Sequence, residues 1–127
     1  MKKRFRGLAL RCVRLASTFP KGPIGEVFTR QLVKAATGAA ANCRAACVAR
    51  SRADFISKIG IVEEETDESV FWIDLAVDAG LVKAPRVQAL AHEGREILAM
   101  VIQSRKTAKS RQTGAKNARK ARGAGRA

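Results

Sequence analysis

Apolar residues recur three and four positions apart along most of the first hundred residues, and that spacing is the period of an α-helix. Phe5, Leu8, Ala9, Cys12, Leu15, Ala16 and Phe19 set it out first, in a helix expected over 3–18. The stretch FPKGP ends that helix, because two prolines and a glycine cannot continue one. A second helix begins near Pro23, a good first-turn residue, and runs to about Ala49 along the line Phe28, Leu32, Ala35, Ala39, Asn42 and Ala46. Eight alanines and one glycine fall within residues 35–49, so a neighbouring backbone is expected to pack closely there. Ser51 reads as an N-cap, with Asp54 three residues on, and opens a third helix reaching about Ala79. Gly80 suits a left-handed cap, followed by Leu81. Pro85 opens a fourth helix whose apolar face is Val87, Leu90, Ala91, Gly94, Ile97, Leu98, Val101 and Ile102. No strand pattern occurs. Four amphipathic helices with short connections predict an antiparallel up-down bundle over residues 1–106.

From Thr107 the apolar residues other than alanine vanish, and Gly, Ser, Asn, Lys and Arg take over. Such a segment buries too little surface to offset its ordering, so 107–127 reads as a disordered basic tail. Charge sorts by position. The chain carries +14, yet residues 15–104 hold ten bases and eleven acids. Residues 1–14 have six bases and no acid, and 105–127 have nine bases and no acid. An acid-free arm of like charge is a common nucleic-acid arm, and each phosphate it neutralises adds sequence-independent affinity. The candidate phosphate contacts are Lys2, Lys3, Arg4, Arg6, Arg11, Arg105, Lys106, Lys109, Arg111, Lys116, Arg119, Lys120, Arg122 and Arg126. The competing reading is a tail that only solubilises the protein. Without large apolar anchors, the tail does not suit a membrane surface.

Seven acids crowd into Val62–Asp78 around the only Trp. A hairpin turning near residue 50 places Arg30, Gln31 and Lys34 opposite Asp67, Glu68 and Phe71. It places Asn42 and Arg44 opposite Ser57, Lys58 and Ile59. Polar pairing between the second and third helices is therefore expected, with Glu63, Glu64, Asp74 and Asp78 left in solvent. An acidic outer face could then meet Arg4, Arg6, Arg11 and Arg14 of another subunit.

Chemistry-bearing groups are few. Cys12, Cys43, Cys47 and His92 are spread over three helices, and Glu65-x-x-Glu68 and Glu93-x-x-Glu96 lack the histidine of a di-iron site. HEGRE at 92–96 is one residue short of a zincin-like His-Glu-x-x-His. Nothing here suggests a catalytic site, a metal or a cofactor, and the expectation is a non-enzymatic protein. The cysteines read as small buried thiols beside alanine. Their odd number, in a chain large enough to fold without disulfides, points to a reducing cytoplasm. Sparse aromatics and the lack of tyrosine argue against recognition by base stacking, and Trp72 reads as core or subunit interface.

Residues 30–82, from RQLVKAATGAAANCRAACVARSR to FWIDLAVDAGLV, resemble the bacterial four-helix bundle family. That family includes proteins encoded in intervening sequences of 23S ribosomal RNA genes, and the accessory variability determinant of diversity-generating retroelements. Gln31, Leu32, Asn42, Arg44, Ser51, Phe55, Lys58, Glu65, Glu68 and Trp72 carry the resemblance; Gly38 stands where a Ser is common. The resemblance implies an all-α bundle assembling as a ring, typically a homopentamer, with nucleic acid or a reverse transcriptase as partner in one branch. Arg30, Gln31, Asn42, Arg44, Lys58, Glu65, Glu68 and Trp72 are then expected to hold helix and subunit contacts. A scaffold that docks only protein is the alternative.

Overall fold

The computed structural model describes residues 1–124. Four helices follow in order: α1 (Lys2–Ala16), α2 (Pro23–Cys47), α3 (Arg52–Asp78) and α4 (Ala84–Ala124). Among the described residues there is no strand. Consecutive helices pack against each other, and α4 closes the bundle with a smaller contact onto α1. The connections are short, so α1 and α3 run one way, and α2 and α4 the other.

The core is built from the expected faces. Phe5, Leu8, Cys12 and Leu15 of α1 meet Leu32, Ala36, Ala39 and Cys43 of α2, Ile59, Val62 and Ile73 of α3, and Leu90, Ile97 and Val101 of α4. Two polar residues, Thr66 and Ser69, are also buried. Their hydroxyls donate one turn back, to the carbonyls of Val62 (2.6 Å) and Glu65 (2.8 Å), so neither is left unsatisfied.

Both ends of α3 follow local chemistry. Ser51 Oγ accepts from the Asp54 N–H at 3.0 Å, and the Asp54 carboxylate accepts from the Arg50 N–H at 3.0 Å. These bonds occupy donors that would otherwise be orphaned at the helix start. Hydrogen bonding to Lys58 and to the Arg50 N–H holds the Asp54 carboxyl below the usual range. At the other end Gly80 adopts φ +78°. The Leu81 N–H donates to Ala76 O and the Gly80 N–H to Val77 O, which is a Schellman cap. Ser51→Ala is expected to lower stability by about 1 kcal/mol, the usual cost of an N-cap hydroxyl, read as a fall in the urea midpoint without a change in slope.

The largest departure from expectation is in the tail. The helix α4 does not stop near residue 106 but continues to Ala124. Ala108 is the last buried residue among those described; beyond it the side chains through Gly123 are exposed apart from the partly covered Gln112. At 1.5 Å per residue the overhang is about 24 Å long. It buries almost nothing, which is why composition alone reads as disorder. Two local terms favour the helix instead. The segment extends a helix already nucleated by packing, so only propagation is required. It is also rich in Ala, Lys and Arg, which have high helix propensity, and its cations suit the negative end of the helix dipole. Residues 125–127, and with them Arg126, lie outside the described residues.

Candidate nucleic-acid interface

The antiparallel course of the helices gathers the basic segments at one end. Here α1 begins, α2 gives way to α3, and α4 leaves the bundle. Lys2, Lys3 and Arg6 of α1 line one groove with Ala40, Ala41 and Arg44 of α2. Arg52 and Phe55 at the start of α3 line another with Gln103, Ser104, Thr107, Ala108 and Arg111 of α4. From there the α4 overhang carries Lys109, Arg111, Lys116, Arg119, Lys120 and Arg122 with no acid.

Not every candidate base is available. Arg4 pairs with Glu93 at 2.9 Å and Glu96 at 3.2 Å, tying α1 to α4. Arg105 is partly buried against Glu63 of α3, with Nε 2.9 Å from the carboxylate. That approach is skewed and makes no linear Nε hydrogen bond, while Nη2 donates to the same carboxylate at 3.4 Å. Arg11 lies toward the other end, in a groove with Arg14, Leu15, Thr18, Arg86, Val87 and Leu90.

The acids of α3 are placed otherwise than the hairpin register suggests. That register holds, since Phe28 packs edge-to-face on Trp72 at 5.3 Å and Gly38 faces Glu65. The expected polar pairing does not follow. Among the described residues no side-chain hydrogen bond or ion pair joins α2 to α3. Lys58 pairs within α3 to Asp54 at 2.8 Å, Asn42 donates to Gly38 O within α2, and Trp72 Nε1 approaches Glu68 at 3.5 Å within α3. Arg30 and Arg44 are exposed and Gln31 is half-buried. The reason is the alanine stripe. Ala35, Ala39 and Ala46 are nearly fully buried, so the facing surfaces have no room for long polar side chains. The acids meet α4 instead. Asp74 accepts from Arg95 at 2.8 and 2.9 Å, and Glu63 holds Arg105. Glu63 and Asp74, expected in solvent, therefore link α3 to α4. Asp74 and Glu63 thus offset Arg95 and Arg105 of α4, and neither reaches Lys2, Lys3, Arg6 or Arg44.

Glu65 is the exception on the α2 side. Its carboxyl lies over Gly38, where an added Cβ would stand 3.3 Å from Cδ. Burial, together with Glu68 and Glu64, pushes its pKa up, and Lys34 only partly opposes this. A carboxyl whose folded pKa is raised loses stability as pH rises through that pKa, and the loss persists at neutral pH. Glu65→Gln is therefore expected to raise the melting temperature at pH 7. The gain should vanish below the ordinary carboxyl range, which a melting series against pH reads directly.

The thiols divide. Cys12 and Cys43 are buried as expected, and burial pushes the Cys12 thiol up to about 12. Burial raises Cys43 as well. Cys47, expected among the buried thiols, is exposed because it ends α2. Among the described residues no three His, Cys, Asp or Glu side chains converge as a metal-ligand group, and no helix is long and apolar enough to cross a membrane.

The 23S rRNA-intervening sequence protein model matches residues 1–103, most of the chain. This chain belongs to that family. No functionally curated protein matches it. Its fold is similar to the crystal structure of a protein of unknown function from the S23 ribosomal protein family of Bacteroides thetaiotaomicron. The two share 28% identity and a TM-score of 0.74, over 83% of this chain and 97% of that one. The 23S rRNA-intervening sequence match thus covers the bundle, and the basic overhang of α4 lies beyond it. No sequence signal placed Arg44 with Lys2, Lys3 and Arg6, because nearly forty residues separate them and only the antiparallel return of α2 brings them together.

Proposed function

We propose that this chain is a non-enzymatic oligomeric adaptor that binds the phosphate backbone of nucleic acid with little sequence preference. The observation that carries this reading is the α4 overhang, an exposed, acid-free helix of Lys and Arg leaving the bundle beside the start of α3. Bases arrayed along one rigid element neutralise successive phosphates without reading base edges, and this contributes affinity more than specificity. Among the described residues no acid pairs with Lys2, Lys3, Arg6, Arg44 or the cations of the α4 overhang, so the field at this end stays positive.

Assembly into a ring, most simply a homopentamer, would present several such arms to one strand and raise avidity. Exposed apolar side chains support self-association. Leu10 of α1 is 48% exposed, Ile24 of α2 68% and Phe71 of α3 53%. A reverse transcriptase as protein partner is proposed on the family resemblance alone. The free thiols suit a reducing cytoplasm. The test is binding of a labelled single-stranded RNA and a DNA duplex over a salt series, with the oligomeric mass measured in parallel. Tight binding with a steep salt slope is expected. Absence of binding at near-physiological salt would leave a protein-docking scaffold whose basic overhang only keeps it soluble.

A further inference from the structure

We infer that the groove between the start of α1 and the end of α2 is a seat for the phosphate groups of a nucleic-acid strand, with Lys2, Lys3, Arg6 and Arg44 as its ligands; this rests on the nucleic-acid reading above and assigns it a second site. The groove has a volume of about 510 Å³, and four of its six lining residues are cationic. The other two, Ala40 and Ala41, offer methyl-sized walls that let a sugar–phosphate chain approach the helix. Among the described residues none of the four cations has an ion-pair partner, whereas Arg4, between Lys3 and Phe5 on the same helix, has two.

The sequence at this point also opposes the stability of its own helix. Lys2, Lys3, Arg4 and Arg6 stand at the positive end of the α1 dipole, with no acid in the first turn and no side-chain cap. Such unbalanced local cost is found where a site, not the fold, sets the residue. The groove is rigid, because Phe5 beneath it is fully buried and Cys43 of α2 is 1% exposed. It opens at the end of the bundle from which α4 emerges, so one strand could lie along the overhang and continue into the groove. Few large apolar side chains accompany it, which disfavours a lipid surface.

The test compares two triple variants of the full chain. Lys3→Gln, Arg6→Gln and Arg44→Gln neutralise the groove. Arg14→Gln, Lys83→Gln and Arg86→Gln remove the same charge toward the other end. All six side chains are exposed, and unchanged melting is expected for both. Binding of a labelled single-stranded RNA is followed over a salt series. The groove variant should lose about 2 log units of salt slope and roughly a hundredfold in affinity at 0.1 M salt, at about 0.7 per phosphate contact. The control should lose well under tenfold. A charge-preserving variant, Lys3→Arg, Arg6→Lys and Arg44→Lys, should bind like the parent. Equal losses in the two neutralised variants would overturn the groove while leaving the α4 overhang as the binding element. No binding by the parent chain would overturn the nucleic-acid reading and the groove with it. Binding of the parent only to anionic phospholipid vesicles would overturn both in favour of a membrane surface.

Discussion

Ending the chain at Ala108 should cut its affinity for a DNA duplex by several orders of magnitude at low salt and flatten the salt dependence. The truncation removes Lys109, Arg111, Lys116, Arg119, Lys120, Arg122 and Arg126 and no acid. At 100° per residue the three lysines share one face of the helix, and Arg111, Arg119 and Arg122 share another, roughly a third of a turn away. A helix lying against a duplex brings at least one face to the phosphates, and both faces if it enters a groove. Each phosphate engaged contributes about 0.9 to the slope of log K against log salt, so the loss should be about 3 to 6 per protomer. Folding should be nearly untouched, because the last buried residue is retained. Far-ultraviolet circular dichroism should show the lost helical turns with little change in melting temperature. If the slopes of the full and shortened chains coincide, the overhang is not a phosphate-binding arm. The remaining cations of the bundle would then have to supply any binding.

Phe5→Ala should be the most destabilising single truncation in α1, at about 3–5 kcal/mol. That is a large share of the roughly 5–15 kcal/mol by which a domain is stable, and corresponds to a fall of roughly 10–20 °C in melting temperature for a chain of this size. Two terms combine in it. The ring's transfer from water is lost, and the space is hard to refill because alanines and Cys43 of α2 cannot grow into it. α1 has 15 residues and docks through one short apolar stripe, in which Phe5 is the only aromatic ring. Lys2, Lys3 and Arg6 ride on this turn, and their placement should loosen with it. Phe71→Ala is the internal control. Phe71 is 53% exposed, and its loss should cost under about 1 kcal/mol, as for most surface changes. Equal melting of Phe5→Ala and the parent would show that α1 is not docked through this ring.

Periodicity, capping chemistry and charge are local properties, and these were legible in the residues. The spacing of Leu8, Cys12 and Leu15, the Ser51 cap, the Gly80 terminator and the division of charge between ends and middle each depend on neighbours within a turn or two. They determined four helices, their boundaries within a few residues except at the end of α4, and an antiparallel order. Where one local rule met another, the reading failed. The segment after Thr107 has the composition of a disordered tail and also the propensity of a helix, and attachment to the packed part of α4 decided between them. What faces what across the bundle was a tertiary matter. The hairpin register was right, yet no polar pair forms between α2 and α3, because the alanines there bring the backbones too close for long side chains. Glu63 and Asp74 turn to Arg105 and Arg95 of α4 instead. Arg44 joins Lys2, Lys3 and Arg6 for a similar reason: helix rotation and crossing, set by the packing of small and large residues, choose which distant side chains share a surface. The sequence by itself determined that this chain is a helical bundle with basic ends; only the tertiary structure decided that one of those ends is a helix and that the other shares a groove with Arg44.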